Sequence, residues 1–225
     1  MGSLLAVGFD LDYTLWDHGR FAETFFAAVA GEVGGRLGLA PARVEAELRR
    51  AWRDLTPGHP RLFDTALARL GSADPALAAD LVARYRRHRP PIRPYPGALP
   101  LLEALRRKGL RLFLVTDGGA AVQRYKVEAL GLASAFDARV FTGDFPALLR
   151  KPSPFPFLVA CRGLGVPPRR CAFVGDNPET DFEAPRCLGM LAIGVTTGPY
   201  AELPPAAGLG PHRRVRDLRD LEDLA

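Results

Sequence analysis

From Gly97 onward, short apolar runs alternate with helical patterns, and that alternation leaves few architectures open to the chain. Leu110–Thr116 ("LRLFLVT") has strand character and is followed by the helical pattern "AAVQRYKVEALGL". Ala138–Gly143 ("ARVFTG") and Cys171–Asp176 ("CAFVGD") repeat the strand signal, with "PFPFLVACRGLG" as a helix between them. "ETDFEAPRCLG" then reads as a helix and "MLAIGVT" as another strand. Adding the opening run "LLAVGFD" predicts at least five strands. Alternating strands and helices with short connections form a parallel sheet covered by helices on both faces, an α/β, Rossmann-like core.

The pattern changes between the first strand and Gly97. "FAETFFAAVAGEVGGRLGLA", "PARVEAELRRAWRDL", "PRLFDTALARLG" and "PALAADLVARYRRH" carry apolar residues at helical spacing, each bounded by Gly or Pro. The stiff connector "RPPIRPYPG" follows. The expected organisation is a core of residues 1–17 and 94–225 with an all-helical insert over 18–93. An insert in that position reads as a mobile lid, hinged near Asp17–Gly19 and Arg89–Pro96.

At 225 residues, 48% hydrophobic and 24% charged, the chain suits an ordinary globular protein. No apolar run reaches the length needed to span a bilayer, and no basic segment precedes an apolar stretch at the N-terminus. The expected location is the cytoplasm, with no membrane partner. Cys161, Cys171 and Cys187 show no CxxC spacing and read as free thiols rather than a zinc site. From His18 to Pro96 there are 13 Arg and no Lys against 8 acidic residues, which accounts for the whole net charge of +5. Without interleaved exposed aromatics this excess does not indicate a nucleic-acid partner. Oligomeric state is left open.

The chemistry concentrates at the carboxyl ends of the strands, where open parallel sheets bind ligands. The first strand delivers Asp10 and Asp12, one residue apart, and the next ends in Thr116-Asp117-Gly118-Gly119. "CAFVGD" ends in Asp176, with Asp181 five residues on, and Lys151 follows the third strand. Taken singly, each has a plainer reading: a turn, a strand exit with an N-cap, a surface lysine, a capped helix start. Their convergence at one sheet edge favours a shared task, because unpaired charge at a buried strand end is costly. A hard ion such as Mg²⁺ takes one or two carboxylates together with water and phosphate oxygens. Asp10 and Asp176 would supply carboxylates and Asp12 its backbone carbonyl. Thr116 and Lys151 would bind phosphate oxygens, with the Asp117 and Gly118 amides approaching closely. Asp10 would attack phosphorus, and Asp12 would protonate the leaving oxygen and then activate water. Residues alone therefore point to a Mg²⁺-dependent phosphatase acting on a small phosphorylated substrate.

"DLDYT", "VTD", "KPSPFPF" and "GDNPETD" occur in order and resemble the four motifs of the haloacid dehalogenase superfamily, across essentially the whole chain. The resemblance implies Asp10 as nucleophile, Asp12 as acid/base, Thr116 and Lys151 as phosphate binders, and Asp176 as metal ligand. It implies that Asp181 acts on the metal through water or orients its partners. It also identifies the helical insert as the family's C1-type cap, which selects the substrate. Asp117 stands where the family more commonly has Asn, adding a negative charge beside the phosphate unless its side chain turns away.

Alternatives separate on single residues. The family's dehalogenases normally lack the second aspartate, so Asp12 speaks against 2-haloacid dehalogenation. Phosphonatases use a cap lysine, whereas Lys108, Lys126 and Lys151 are the only lysines and none lies in the insert. A sugar phosphomutase shares the core chemistry and stays open. A regulatory protein on this fold is disfavoured by the intact set of Asp10, Asp12, Thr116, Lys151, Asp176 and Asp181. In the insert and its edges, Arg20, Arg61, Arg86 and Arg93 would either steer anionic substrates or form a solvated face. Trp16, Phe21, Trp52, His59 and Phe63 would line a substrate pocket or form the insert's core.

Overall fold

The computed structural model describes residues 3–55, 59–204 and 209–224. The chain divides into two compact units, Met1–Asp17 with Pro91–Ala225 and, separately, His18–Pro90.

In the larger unit one parallel sheet contains β1 (Ala6–Phe9), β2 (Arg111–Thr116), β3 (Ala138–Phe141), β4 (Cys171–Gly175), β5 (Leu191–Val195) and β6 (Arg213–Val215). Their order is β3-β2-β1-β4-β5-β6. The crossovers carry α5 (Ala98–Arg107), α6 (Ala120–Ala129), α7 (Phe155–Leu164) and α8 (Glu183–Cys187). β1 and β4 are buried along their whole length and β2 at every residue but Arg111. Burial on both faces explains why these strands read as continuous apolar runs rather than alternating ones. Phe113, Val115, Val140, Phe157, Ala160 and Phe173 share one core cluster: α7 packs against β2 and β3, and its Phe157 ring meets Phe173 of β4 at 4.8 Å.

The strand order reverses between β1 and β4, at the place where sheets of this kind bind ligands. Phe9 lies level with Leu114 on one side and Val174 on the other. The residues following all three strands therefore emerge together. The chain returning to the core is tied to the segment after β1: the Tyr95 amide donates to the Leu15 carbonyl at 2.8 Å, and Trp16 bridges Pro94.

The sheet meets the expectation of at least five strands and adds a sixth, β6, whose three residues "RRV" are too short and polar to show a strand pattern. Two local expectations need correction. The expected helix over "ETDFEAPRCLG" is confined to Glu183–Cys187. Asp181 is instead drawn into a turn, its carboxylate accepting from the Asp176 and Asn177 amides at 3.1 and 3.0 Å. β3 stops at Phe141 because Thr142–Asp144 closes into a 3-10 turn.

The second unit contains α1 (His18–Leu37), α2 (Pro41–Leu55), α3 (Leu62–Arg69) and α4 (Pro75–Arg87), with no strand among its described residues. Phe25, Phe26, Val29 and Val33 recur at helical spacing on α1. They join Val44, Leu48, Phe63, Leu67, Leu77 and Leu81 in a core of the unit's own. Phe63 is core and Trp52 packs against it, while Phe21 is also buried; His59 is half-buried. Arg49 pairs with Glu23 and Glu45, Arg69 with Glu47 and Asp54, and Arg84 with Glu32 and Asp80. Exposed pairs of this kind contribute only about 0–1 kcal/mol each, so the apolar core holds the unit together. Arg20, Arg61, Arg86 and Arg93 are exposed. Among the described residues no helix is long and apolar enough to cross a membrane.

Asp74 caps α4, its carboxylate accepting from the Ala76 and Leu77 amides, ahead of Pro75 at the first helical position. Asp74→Ala is expected to remove about 1 kcal/mol of stability, read as a lower urea midpoint at constant slope. An unmoved midpoint would show that the cap is energetically idle.

Candidate active site

Asp10 leaves the end of β1 with its amide hydrogen-bonded to the Val174 carbonyl at 2.8 Å, which fixes the backbone as the strand pairing ends. Its buried carboxylate accepts from the Lys151 ammonium at 2.6 Å. The same ammonium donates to Asp181 at 2.7 Å. Asp176, at the end of β4, accepts from the Thr14 hydroxyl at 3.2 Å through Oδ1. Its other oxygen, Oδ2, is buried with no hydrogen-bond partner. Asp10, Asp176 and Asp181 each offer an oxygen within 4.8 Å of the others.

Three buried carboxylates thus face one ammonium. Burial, then the neighbouring Asp181 and Asp12 carboxylates, push Asp10 up to about 7 although Lys151 pulls the other way. Burial likewise holds Asp176 well above the usual carboxylate range, with Asp181 and Asp10 adding to it. Burial works against the charge of Lys151, but Asp10, Asp181 and Asp117 outweigh it and keep the ammonium firmly protonated. The cluster is short of positive charge. Hard oxygen donors, excess negative charge and one bare buried oxygen fit a small cation.

Close packing holds this arrangement. A Cβ on Gly175 would stand 2.3 Å from Asp181 Oδ2, so the motif needs glycine immediately before Asp176. A Cβ on Gly198 would lie 2.5 Å from Tyr13 Cβ and 2.8 Å from Asp176 Oδ2. Tyr13 turns the chain with a positive φ of 58°, and its carbonyl accepts from the Thr197 hydroxyl. Tyr200 lies edge-on to Tyr13 at 6.3 Å; burial, then Asp176 and Asp10, hold its phenol protonated.

Asp12 occupies a second network. Its Oδ1 accepts from the Trp16 indole at 2.8 Å and from Lys126 at 2.9 Å. Its Oδ2 accepts from Lys126 at 2.7 Å and from the Gln123 amide at 3.2 Å. Gln123 also donates to the Thr116 hydroxyl at 2.6 Å, linking the ends of β1 and β2. Burial pushes the Lys126 ammonium below the usual lysine range, against the pull of Asp12. The Asp117 carboxylate accepts a hydrogen bond from the Thr142 hydroxyl, so the extra charge at this position is engaged by the 3-10 turn after β3. Gly118 is exposed in the following turn at a φ of 119°.

Asp10, Lys151, Asp176 and Asp181 are therefore in one hydrogen-bonded or close-packed cluster, while Asp12 and Thr116 share the second. Sequence reasoning missed Lys126 and Gln123 as site residues and placed Trp16 in a substrate pocket or the insert's core, not against the Asp12 carboxylate. The signal was present for two of them. Gln123 and Lys126 are three apart and share a face of α6, the helix that opens after the Thr116–Gly119 turn.

A model of the haloacid dehalogenase-like hydrolase family matches residues 4–189. The chain belongs to that family. A glyceraldehyde 3-phosphate phosphatase from Methanopyrus kandleri is 33% identical over 207 residues, 89% of this chain and 87% of that protein. A phosphoserine phosphatase from Thermus thermophilus is 35% identical over 227 residues, covering 92% and 89%. The structure of a putative beta-phosphoglucomutase from Thermotoga maritima superposes with a TM-score of 0.73 at 22% identity, covering 95% and 94%. That likeness shows the haloacid dehalogenase-like α/β fold.

Gly175→Ala forces a methyl group onto the Asp181 carboxylate and is expected to cost about 1–3 kcal/mol. A denaturant midpoint equal to the wild type's would contradict the packing described for this turn.

Proposed function

We propose that this family member is a Mg²⁺-dependent phosphatase that hydrolyses a small phosphate monoester through an aspartyl-phosphate on Asp10. The observation that carries this reading is the excess of buried carboxylate over ammonium at the β1/β4 strand ends, with the bare Asp176 Oδ2. Asp10, Asp176 and the Asp12 carbonyl would hold Mg²⁺, with Asp181 behind them, and the ion would supply charge neutralisation to the carboxylates and the phosphate.

The chain's own groups divide the remaining work. Lys151 and the Thr116 hydroxyl bind phosphoryl oxygens, and the Asp117 and Gly118 amides add donors. An Asp10 carboxylate oxygen forms a bond to phosphorus as the bond to the ester oxygen breaks, and Asp12 gives that oxygen its proton. Water then attacks the aspartyl-phosphate, Asp12 takes back a proton, and the Asp10 oxygen leaves as inorganic phosphate is released. Positioning and charge stabilisation account for most of the rate in such chemistry.

The relatives' names support three-carbon phosphate esters as the first substrates to try. We assign residues 18–93 to the substrate-selecting, C1-type cap and 1–17 with 94–225 to the catalytic core. The free thiols Cys161, Cys171 and Cys187 suit a cytoplasmic setting.

Purified protein is expected to release phosphate from glyceraldehyde 3-phosphate or phosphoserine with Mg²⁺ and to stop with a chelator. Asp10→Asn should fall to background, and Asp12→Asn should lose about 10²–10⁴ in kcat while keeping the metal. Isomerised substrate in place of free phosphate would reassign the enzyme as a mutase, and turnover by Asp10→Asn would reject the nucleophile.

Metal binding should also leave a pH signature. Without the ion, the raised Asp10 contributes stability that is present below its unfolded value of 3.8 and lost as pH rises through about 7. Added Mg²⁺ is therefore expected to raise Tm more near about pH 8 than near about pH 5. Equal shifts at both would contradict metal binding by this cluster.

A further inference from the structure

The four-motif chemistry uses Asp12 but leaves unexplained what holds its side chain. A free aspartate has two rotatable bonds, and an acid/base must meet the leaving oxygen and later the water with one carboxylate. Here both oxygens are occupied. Lys126 donates to each, at 2.9 and 2.7 Å, the Trp16 indole closes on Oδ1 at 2.8 Å, and Gln123 reaches Oδ2 at 3.2 Å. Gln123 and Lys126 are each only 2% exposed. A lysine is rarely buried to that degree without a charged partner, and here Asp12 is that partner. The Lys126 ammonium also lies 5.4 Å from the centre of the Trp16 ring.

Two of the donors start from one element. Gln123 and Lys126 project from the same face of α6, one turn apart, directly after the turn that carries Asp117 and Gly118. Gln123 also holds the Thr116 hydroxyl at 2.6 Å. One helix thus sets the acid/base and the phosphate-binding hydroxyl relative to each other.

We infer that Lys126, assisted by Gln123, is a positioning residue for catalysis: it fixes the Asp12 carboxylate for proton transfer without touching the substrate. This rests on the phosphoryl-transfer reading above. A misplacement of about 1 Å in such a group costs about 10²-fold. Lys126→Met is accordingly expected to lower kcat by about 10- to 100-fold with KM changed less than about twofold. Lys126→Arg keeps a donor and a positive charge and should recover part of the loss.

Two readouts separate positioning from a general loss of folded protein. If the acid step suffers, kcat falls further for an alkyl phosphate than for p-nitrophenyl phosphate, whose leaving group needs no proton. If the water step suffers, acid quenching during turnover finds a larger fraction of the variant as phosphoenzyme. Damaged folding lowers both substrates equally and leaves the phosphoenzyme fraction unchanged, and that result would overturn the proposal. So would a Lys126→Met enzyme with normal kcat. Gln123→Met should show the same signature more weakly and provides the test if Lys126→Met does not fold. A Gln123→Met enzyme lacking the signature in that case overturns the proposal. Wild-type protein without phosphatase activity would instead reject the underlying reading and this role with it, whereas an active wild type with unaffected variants rejects the positioning role alone.

Discussion

The Lys151 ammonium, shared between Asp10 at 2.6 Å and Asp181 at 2.7 Å, is the contact on which the core site depends. It joins three pieces of chain that the sheet alone would leave separate: the end of β1, the segment before α7 and the turn after β4. Removing one partner from a buried ion pair costs about 3–5 kcal/mol, since the partner charge is stranded. Three buried carboxylates converge on that one ammonium, and Oδ2 of Asp176 accepts no hydrogen bond from the protein. Burial and the neighbouring carboxylates therefore hold Asp10 and Asp176 above the usual carboxylate range despite Lys151.

The second carboxylate of the opening motif is treated differently. Asp10 and Asp176 are short of positive charge, whereas Asp12 is surrounded by donors from Trp16, Gln123 and Lys126. Two aspartates separated by a single residue are therefore each paired with a lysine but sit in different surroundings, Asp10 among other carboxylates and Asp12 among donors. Strand geometry makes this possible. The Asp10 amide still pairs with β4 through the Val174 carbonyl, while the chain beyond it turns at Tyr13 and sends Asp12 toward α6. That separation is what the proposed division between nucleophile and acid/base needs.

Much of the core was legible because its signals are local. Continuous apolar runs marked β1, β2, β4 and β5, since both faces of each are covered. The helical insert was legible from apolar spacing bounded by Gly and Pro, and of the two places open to Phe63, pocket lining or insert core, it takes the core. β6 escaped because three residues, "RRV", carry no period. The turn at Asp181 escaped because its carboxylate competes for the Asp176 and Asn177 amides, a preference that helix patterns do not contain. Lys126 escaped for a different reason: a lysine on a helix is ordinarily solvated, and only the folded chain reveals that this one is buried with its ammonium on Asp12, in the segment after β1. The Asp117 carboxylate is engaged by Thr142, a partner 25 residues away that no local pattern names.

The most direct test of the central claim is acid quenching during turnover with Mg²⁺, followed by peptide mapping for the phosphoryl group. The account predicts an acid-stable, hydroxylamine-sensitive phosphoryl group on the peptide containing Asp10, absent from Asp10→Asn. Phosphate release with no labelled Asp10 under any quench condition, or label on another residue, would contradict it.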